Sequence, residues 1–380
     1  MIGKKNNKKN KVYVGMSGGV DSSLSAALLK EQGFDVVGVF IKVWHPDFLP
    51  CDWKEERRDA MRVAAHLDIP FKTYDFEKEY KKEVVDYMIE EYKRGRTPNP
   101  DVMCNRYVKF GAFLDKAIEE GAGYVATGHY ARISSRDEIL GASSFKPQAE
   151  SYRLLKGVDN NKDQSYFLWT LKQEQLKHIL FPIGHLEKSQ VRKEAEKRGI
   201  PVAQKKDSQG ICFVGKIDMK DFLKEYIEEK KGDVLNNQCE VIGYHDGAFF
   251  YTLGERRGFT ITKKTPNDKP YYVVGKNIDK NTITVSNEVL KEGLESTKRE
   301  VEIGNVSWVS GEPKEGERYQ ARMRYRQNLR NCKIKYINSN SRELERRVVL
   351  IFDELQENVT PGQSLVLYDG EECLGGGIIV

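Results

Sequence analysis

The feature that most constrains the fold is a glycine turn near the start of the chain, Gly-Met-Ser-Gly-Gly-Val-Asp-Ser-Ser at positions 15–23. The apolar run before it, Val12–Val14, predicts a buried strand, and Leu24, Ala27 and Leu28 after it lie at helical spacing. In such a strand–turn–helix unit, backbone N–H groups and the positive end of the helix dipole converge on one point and bind a phosphate there. The stretch therefore predicts an α/β domain with an anion site.

The turn is not a Walker A loop, because no Gly-Lys-Ser/Thr follows its glycines. The order Ser-Gly-Gly-Val-Asp-Ser at 17–22 instead resembles the PP-loop of ATP pyrophosphatases. In that family the loop holds the β,γ-pyrophosphate of ATP while the α-phosphorus adenylates an acceptor oxygen. The alternative is an ordinary glycine turn in a Rossmann-like domain, and six matching residues at a strand–helix junction favour the PP-loop.

The pattern up to residue 127 alternates strands with helices, which predicts a doubly wound parallel sheet with its ligands beyond the carboxyl ends of the strands. Further strands are predicted at Val36–Ile41, Phe71–Tyr74 and Tyr124–Thr127. Helical patterns follow at Asp163–Leu180 and Glu187–Arg198. The polar stretch Ser134–Ser151 is interpreted as a mobile hairpin excursion without an assigned function.

The character of the chain changes after residue 216. One amphipathic helix is followed by short strands with turn signals, and six short strands without helices follow residue 299, as in a small β-barrel. We therefore predict four parts. These are a disordered basic tail at 1–11, a PP-loop ATP-binding catalytic domain at 12–215, a small α+β linker domain at 216–298 and a C-terminal β-barrel at 299–380.

Charge and cysteine usage limit the classes of protein to which the chain can belong. The net charge is +5, and Lys4, Lys5, Lys8, Lys9 and Lys11 account for it, so net charge alone does not argue for nucleic acid. No run of about 18 apolar residues and no apolar signal segment occurs, which predicts a cytoplasmic protein without membrane contact. The six cysteines include no C-x-x-C pair, which argues against a zinc ribbon and against a disulfide framework.

Two cysteines are candidates for chemistry. A helix is predicted from about Val102, which makes Asp101 its N-cap and places Cys104 at N3, where the helix dipole favours the thiolate. Cys212 follows a glycine in the basic, polar loop 205–215, whereas structural cysteines usually lie inside strands or helices. A buried structural cysteine remains the alternative for each.

With these residues, the chain resembles the bacterial tRNA-specific 2-thiouridylases from Val12 to Ile379. Besides residues 15–23, the matching segments follow the family's order. They are Gly-Arg-Thr-Pro-Asn-Pro-Asp-x-x-Cys-Asn (95–105), Ala-Thr-Gly-His-Tyr (126–130), Asn-Lys-Asp-Gln-Ser-Tyr-Phe-Leu (161–168), Lys-Asp-Ser-x-Gly-Ile-Cys-Phe (206–213), Arg-Tyr-Arg-Gln (324–327) and Cys-Leu-Gly-Gly-Gly-Ile-Ile (373–379). One departure is Ile41, where the family often has methionine, an apolar exchange that should matter little.

The resemblance implies three sets of site residues. Its ATP site corresponds to Gly15, Met16, Ser17, Gly18, Gly19, Val20, Asp21, Ser22, Ile41 and Gly128. Its catalytic cysteines correspond to Cys104 and Cys212, with Asp101 as a general base of lower rank because a helix cap explains it equally well. Its tRNA contacts correspond to Asn99, Pro100, Asp101, Lys162, Asp163, Gln164, Arg324 and Tyr325.

The mechanism implied by the resemblance is adenylation followed by sulfur transfer. The O2 atom of the tRNA wobble uridine attacks the α-phosphorus of ATP, with Mg²⁺ and the loop N–H groups offsetting charge. Cys212 carries a persulfide received from a cysteine desulfurase or a sulfur-relay protein. Cys104 attacks that persulfide, which releases sulfide beside the activated C2 and leaves a transient Cys104–Cys212 disulfide. No protein-bound metal site is predicted.

Alternatives remain for the RNA surface and for the reaction. Arg322, Arg324 and Arg326 alternate on a predicted strand and would form a phosphate-binding row, or else a solvated face. The rival reactions are a PP-loop amide ligase, which needs neither cysteine, and an iron–sulfur-dependent thiolation with a cluster on Cys104, Cys212 and Asp101. A tRNA-binding protein without chemistry is the rival from another class.

Overall fold

The structure is a computed structural model that describes residues 10–48, 53–135, 151–206, 219–263, 269–288, 294–337 and 347–380. The predictions for most of the basic tail, for Cys212 and for residues 136–150 of the polar excursion lie outside these residues. Among the described helices, none has the length and apolar character needed to cross a membrane.

The first sheet has five strands, all parallel, in the order β3-β2-β1-β4-β7. Its strands are β1 (Lys11–Gly15), β2 (Asp35–Lys42), β3 (Phe71–Asp75), β4 (Tyr124–Ala126) and β7 (Ile179–Leu180). The chain winds outward from β1 to β3 and then returns to the other side of β1 with β4. The carboxyl ends of β1 and β4 therefore form the topological switch point where ligands of such sheets bind.

Helices cover both faces of this sheet. One face carries α1 (Val20–Glu31), α2 (Trp53–His66) and α6 (Lys188–Lys197), and the other carries α3 and α4. Both α3 and α4 are continuous and have a π-helical middle piece. Their successive pieces are Glu77–Tyr80, Lys81–Asp86 and Tyr87–Lys93 for α3, and Pro100–Met103, Cys104–Ala112 and Phe113–Glu119 for α4. Val12 and Val14 pack on the first face and Tyr13 on the second, so the predicted doubly wound α/β fold is confirmed.

The start of α4 differs from the prediction. Its N-cap is Asn99, whose side-chain oxygen accepts a hydrogen bond from the Val102 N–H at 3.4 Å, and Pro100 is the first helical residue. Proline suits that position because its φ is already helical and its missing N–H has no partner there. The predictions that Asp101 is the N-cap and that Cys104 lies at N3 are therefore wrong. Cys104 is the fifth helical residue, beyond the first turn where the helix dipole acts most strongly.

The helix predicted over Asp163–Leu180 is also wrong. The segment contains a 3₁₀ turn (Ser165–Phe167), the short helix α5 (Gln173–Leu176) and β7. Tyr166 and Trp169 are fully buried here, and each hydrogen-bonds to Ser364 of the C-terminal sheet. Tertiary packing therefore overrides the local helical pattern.

The middle of the chain forms a second sheet after α7 (Met219–Lys224). The sheet has five strands in the order β10-β9-β8-β12-β11. They are β8 (Gly232–Leu235), β9 (Val241–His245), β10 (Thr260–Ile261), β11 (Tyr272–Asn277) and β12 (Thr282–Ser286). The helix followed by short strands agrees with the sequence pattern.

The C-terminal part is a closed six-stranded barrel, as predicted. Its order is β13-β16-β15-β14-β17-β18, and β18 pairs back with β13. The strands are β13 (Lys298–Trp308), β14 (Arg318–Arg322), β15 (Arg330–Ile337), β16 (Arg347–Gln356), β17 (Ser364–Asp369) and β18 (Glu372–Ile379). The hairpin of β5 (Ala131–Ser135) and β6 (Tyr152–Lys156) joins β18 through Leu155 and Glu372, which attaches the first part of the chain to the barrel.

Candidate active site

The glycine turn lies at the carboxyl end of β1 and is held by its own side chains. The Ser17 N–H donates to Ser22 Oγ at 3.2 Å, and the Ser23 hydroxyl donates to the Gly19 carbonyl at 2.7 Å. Gly18 has φ +73°, and a Cβ there would lie 2.4 Å from the Glu56 carbonyl oxygen of α2. Only glycine fits both conditions. The turn is thus fixed before any ligand arrives, with no side-chain cap on the N-terminus of α1.

Gly128 lies two residues after the end of β4 and is in close contact with this turn. A Cβ at Gly128 would lie 2.6 Å from the Ser22 backbone nitrogen. Ile41, at the end of β2, lies on the other side, because a Cβ at Gly15 would be 3.6 Å from its Cδ1 atom. The structure therefore brings the two predicted ATP-site positions outside the loop, Gly128 and Ile41, together with it. Met16 and Val20 are buried, at 1% and 3% exposure, so their side chains anchor the turn in the apolar core.

A Gly128→Ala substitution tests this close approach. The added methyl group would push on the backbone of the loop, so we expect the dissociation constant for ATP to rise by about fivefold to a hundredfold, since overpacking costs about 1–3 kcal/mol. Calorimetric titration with a non-cleavable ATP analogue measures it. Gly304→Ala is the matched control, since the nearest atom to its Cβ would be a Val380 methyl group at 3.5 Å. An unchanged dissociation constant in a folded Gly128→Ala protein would contradict the assignment.

The carboxylate of Asp21, in the first turn of α1, has two donors from other parts of the chain. The Tyr130 hydroxyl donates to it at 2.7 Å, and Lys188 Nζ donates to both of its oxygens at 2.7 and 2.8 Å. The side chains of Asp21 and Lys188 are 31% and 13% exposed, so the pair is only partly accessible to water. Asp21 is thereby fixed in one orientation beside the loop.

Lys205, among the last residues that the structure describes before position 207, is held next to this loop. Lys205 forms an ion pair with Asp59 of α2 at 2.8 Å. Burial opposes ionisation of Asp59, but hydrogen bonds from Lys205 and Arg62 outweigh it, and the pKa of Asp59 lies below its ordinary value. A Cβ at Gly18 would lie 3.3 Å from the Asp59 Cβ. The last residues described before Cys212 are therefore anchored beside the glycine turn.

Cys104 lies inside the apolar core, at 1% exposure, on the π-helical piece of α4. The same piece contacts the end of β4, where the rings of Phe110 and His129 are 5.7 Å apart. Burial, and next the charge of Lys109, lower the pKa of His129 well below its ordinary value. His129 is therefore neutral near pH 7, and its Nδ1 atom lies 2.7 Å from the Thr127 hydroxyl.

The three segments predicted to contact tRNA meet around Tyr166 and Phe167. The Tyr166 hydroxyl interacts with the Asn99 side chain and donates to the Met323 carbonyl at 3.0 Å. The rings of Phe167 and Tyr325 are 4.7 Å apart, centre to centre. Arg326 Nε donates to the Asn161 carbonyl at 3.1 Å. Residues 99–101, 162–164 and 324–325 thus border one region, on elements far apart in sequence; Asn161 and Arg326 directly adjoin two of these segments.

The comparisons with known proteins agree along the whole chain. Family models match residues 10–216 (tRNA methyl transferase HUP domain), 220–287 (tRNA methyl transferase PRC-barrel domain) and 298–379 (aminomethyltransferase beta-barrel domain). A protein of Streptococcus thermophilus strain LMD-9, named tRNA-specific 2-thiouridylase MnmA, is 45% identical over 98% of this chain and 96% of its own length. A Bacillus cereus strain Q1 protein of the same name is 44% identical over 98% of this chain and 95% of its own.

The chain belongs to the tRNA-specific 2-thiouridylase family. The family models carry methyltransferase names, whereas the relatives that match the full length are named for thiolation. The relatives cover nearly the whole chain at 44–45% identity, and the family is therefore stated by their name rather than by the names of the domain models.

In this thiouridylase-family chain, the barrel arginines differ from the predicted row. Strand β14 ends at Arg322, Arg326 has φ +63°, and the three side chains share no face. Arg322 is buried and forms an ion pair with Asp163, while Arg324 donates to the Leu253 carbonyl at 3.0 Å and to the Asn358 carbonyl at 3.3 Å. The prediction of a phosphate-binding row is therefore wrong: Arg322 holds protein segments together, and of the three arginines only Arg326 is exposed.

Two residues of this thiouridylase-family site escaped the sequence analysis. Lys188 stands at the start of α6 and looks like an ordinary solvated helix residue, because its partner Asp21 is 167 positions away. Tyr130 is the last residue of the matching segment 126–130, but nothing in its local sequence indicates the bond to Asp21. The only signal in the sequence was that Tyr130 lies in one of the segments that match the family.

Proposed function

We propose that this chain is a tRNA-uridine 2-sulfurtransferase, which replaces the C2 oxygen of the wobble uridine of tRNA by sulfur at the expense of ATP. The observation that carries the proposal is the 45% identity to a protein named tRNA-specific 2-thiouridylase over 98% of the chain. The fixed glycine turn at the switch point supports it, since activation of a carbonyl oxygen by ATP needs a site for the departing pyrophosphate.

In the first step, the uridine O2 atom forms a bond to the α-phosphorus of ATP, and the bond to the pyrophosphate breaks. The loop 15–22 holds the β- and γ-phosphates through its N–H groups and the N-terminus of α1. Among the residues that the structure describes, no group of three acidic, histidine or cysteine side chains could hold a metal ion. Asp21 is paired with Lys188, so Mg²⁺ would reach the site on the phosphates of ATP.

In the second step, Cys104 attacks the inner sulfur of a persulfide on Cys212. A Cys104–Cys212 disulfide forms, and the outer sulfur leaves as hydrogen sulfide. The sulfide adds to the activated C2 atom and AMP leaves with the former uridine oxygen, which gives 2-thiouridine. A cysteine desulfurase or a sulfur-relay protein supplies the persulfide, and an external thiol reduces the disulfide before the next turnover. Asp101, in the first turn of α4, is the candidate base for these proton transfers.

On the RNA side, residues 99–101, 162–164 and 324–325 border the place where the uridine enters. The base must leave its stack to reach the loop, and an aromatic side chain is a suitable surface for an unstacked base. Tyr325 is half-buried against Phe167 and is the candidate for that contact. Asp163 is 3% exposed and paired with Arg322, so its part is to position the segment.

The decisive experiment combines the purified protein with ATP, cysteine, a cysteine desulfurase and unmodified tRNA. We expect 2-thiouridine in the nucleoside digest by mass spectrometry, with AMP and pyrophosphate as the nucleotide products. ADP as the product would contradict the PP-loop assignment. Mass spectrometry of tRNA from cells that lack the protein should show loss of wobble 2-thiouridine.

The two rival reactions are separable in the same assay. An iron–sulfur route would give an anaerobic preparation with bound iron and a visible chromophore, and its thiolation would stop when iron is removed. An amide ligase would form AMP and pyrophosphate but would not depend on either cysteine. Neither outcome is expected if the persulfide route is correct.

A further inference from the structure

Two chains of hydrogen bonds link the ATP loop to the two ends of the segment 159–164, and the backbone of that segment closes them into a ring. On one side, the Tyr130 hydroxyl donates to Asp21, and the Tyr130 backbone forms two bonds with Gln164. Its N–H donates to Gln164 Oε1 at 3.0 Å, and its carbonyl accepts from the Gln164 N–H at 2.9 Å. Gln164 is thus connected to the Asp21 carboxylate through Tyr130, by its backbone on one side and its hydroxyl on the other.

The other side of the ring passes through α6. Lys188 Nζ donates to Asp21, and the Lys188 backbone N–H donates to Asp159 Oδ2 at 3.0 Å. The other oxygen of Asp159 accepts the N–H groups of Asn161 and Lys162 at 2.9 and 3.2 Å. The start and the end of the segment 159–164 are thus both tied to the same carboxylate of the ATP loop. We call Asp21, Tyr130, Gln164, Asp159 and Lys188 the Asp21 ring.

We propose that the Asp21 ring couples the binding of tRNA to the segment 159–164 with the binding of ATP to the loop 15–22, with Lys188, Tyr130 and Asp159 as positioning residues. The inference rests on the proposed function, because it takes tRNA and ATP as the two ligands. The three positioning residues would thus favour the reaction of ATP after tRNA has bound. ATP is then held more tightly in its reactive geometry when the RNA to be modified is in place.

The physical basis is that both ligands depend on one set of bonds. The loop holds pyrophosphate in the reactive geometry only if Asp21 keeps its orientation, and Asp21 keeps it through Tyr130 and Lys188. RNA contacts at residues 161–164 order the segment and so stabilise both donors. By linkage, ATP must then tighten the binding of tRNA by the same factor as tRNA tightens the binding of ATP.

The test is calorimetric titration of an ATP analogue with a methylene group between its α- and β-phosphates, without tRNA and with saturating unmodified tRNA. For the unaltered protein we expect tRNA to lower the dissociation constant by about tenfold, within the usual range of such couplings. For Lys188→Met we expect the two constants to agree within about twofold. Lys188→Arg keeps a charged donor for the carboxylate and should restore most of the coupling.

Lys193→Met is the matched control, because Lys193 is exposed on the same helix. It should keep the full tenfold coupling. If Lys188→Met keeps it too, or if the unaltered protein shows none while it still forms 2-thiouridine, the ring does not couple the sites and only this inference falls. A protein that forms no 2-thiouridine and binds no tRNA would overturn the proposed function as well.

Discussion

We expect a Cys104→Ser variant to lose 2-thiouridine formation by at least about a thousandfold, while it still binds ATP and tRNA. The reason is the chemistry of the attacking atom. A thiolate attacks a persulfide readily, whereas a serine hydroxyl remains protonated near pH 7 and forms no disulfide. Single-turnover assays with the persulfide-loaded protein, analysed by mass spectrometry of nucleosides, measure the loss. Cys212→Ser should fail at the earlier stage and carry no persulfide.

The matched control for this experiment is Cys332→Ser. Cys104 and Cys332 are both 1% exposed, so each substitution places a hydroxyl group in an apolar core at a similar cost in stability. Burial raises the pKa of Cys332 to about 12, and its place in the barrel gives it no part in the reaction. Cys332→Ser should therefore keep thiolation. Full thiolation by Cys104→Ser, or equal losses in the two variants, would remove Cys104 from the mechanism.

Local sequence was sufficient to predict some elements of this fold and not others. The glycine turn, four of the five strands of the first sheet (all but β7) and the six strands of the barrel were predicted, because each is specified by neighbouring residues. The N-cap of α4 was misplaced by two positions, although Pro100 is a known signal for the first helical residue. The prediction instead gave more weight to Asp101, the acidic residue beside Pro100, as the N-cap.

The errors with larger consequences came from distant partners. The helical pattern after Asp163 is overridden because Tyr166 and Trp169 bond to Ser364, about 200 positions later. The alternation of Arg322, Arg324 and Arg326 suggested a row of arginines on the surface. Arg322 instead forms an ion pair with Asp163 in the interior. Neither contact leaves a trace within a window of ten or twenty residues. Periodicity therefore located the elements, and the partners of buried polar side chains required the structure.

The Arg322–Asp163 pair leads to the second large effect. The two side chains are 7% and 3% exposed, and Arg322 also donates to the Tyr368 hydroxyl at 2.8 Å. Burial alone would lower the pKa of Arg322, but Tyr368 and Asp163 outweigh it and raise that pKa above its ordinary value. Asp163 in turn accepts the N–H groups of Gly157 and Ser165 at 3.0 and 3.1 Å. Every part of this buried cluster has a partner, and the cluster joins the segment 157–165 to the barrel.

We therefore expect Arg322→Met to lower the free energy of unfolding by about 3–5 kcal/mol, because it leaves the Asp163 carboxylate buried without its counter-charge. Chemical denaturation followed by tryptophan fluorescence measures this loss. Arg326→Met removes an exposed arginine nearby and should change stability by no more than about 0.5 kcal/mol. The double variant Asp163→Asn/Arg322→Met removes both charges and should be more stable than Arg322→Met alone, since no unpaired charge remains in the interior. If the double variant is instead the less stable, by the full sum of the single effects, the two residues act independently and the pair does not hold the segment to the barrel.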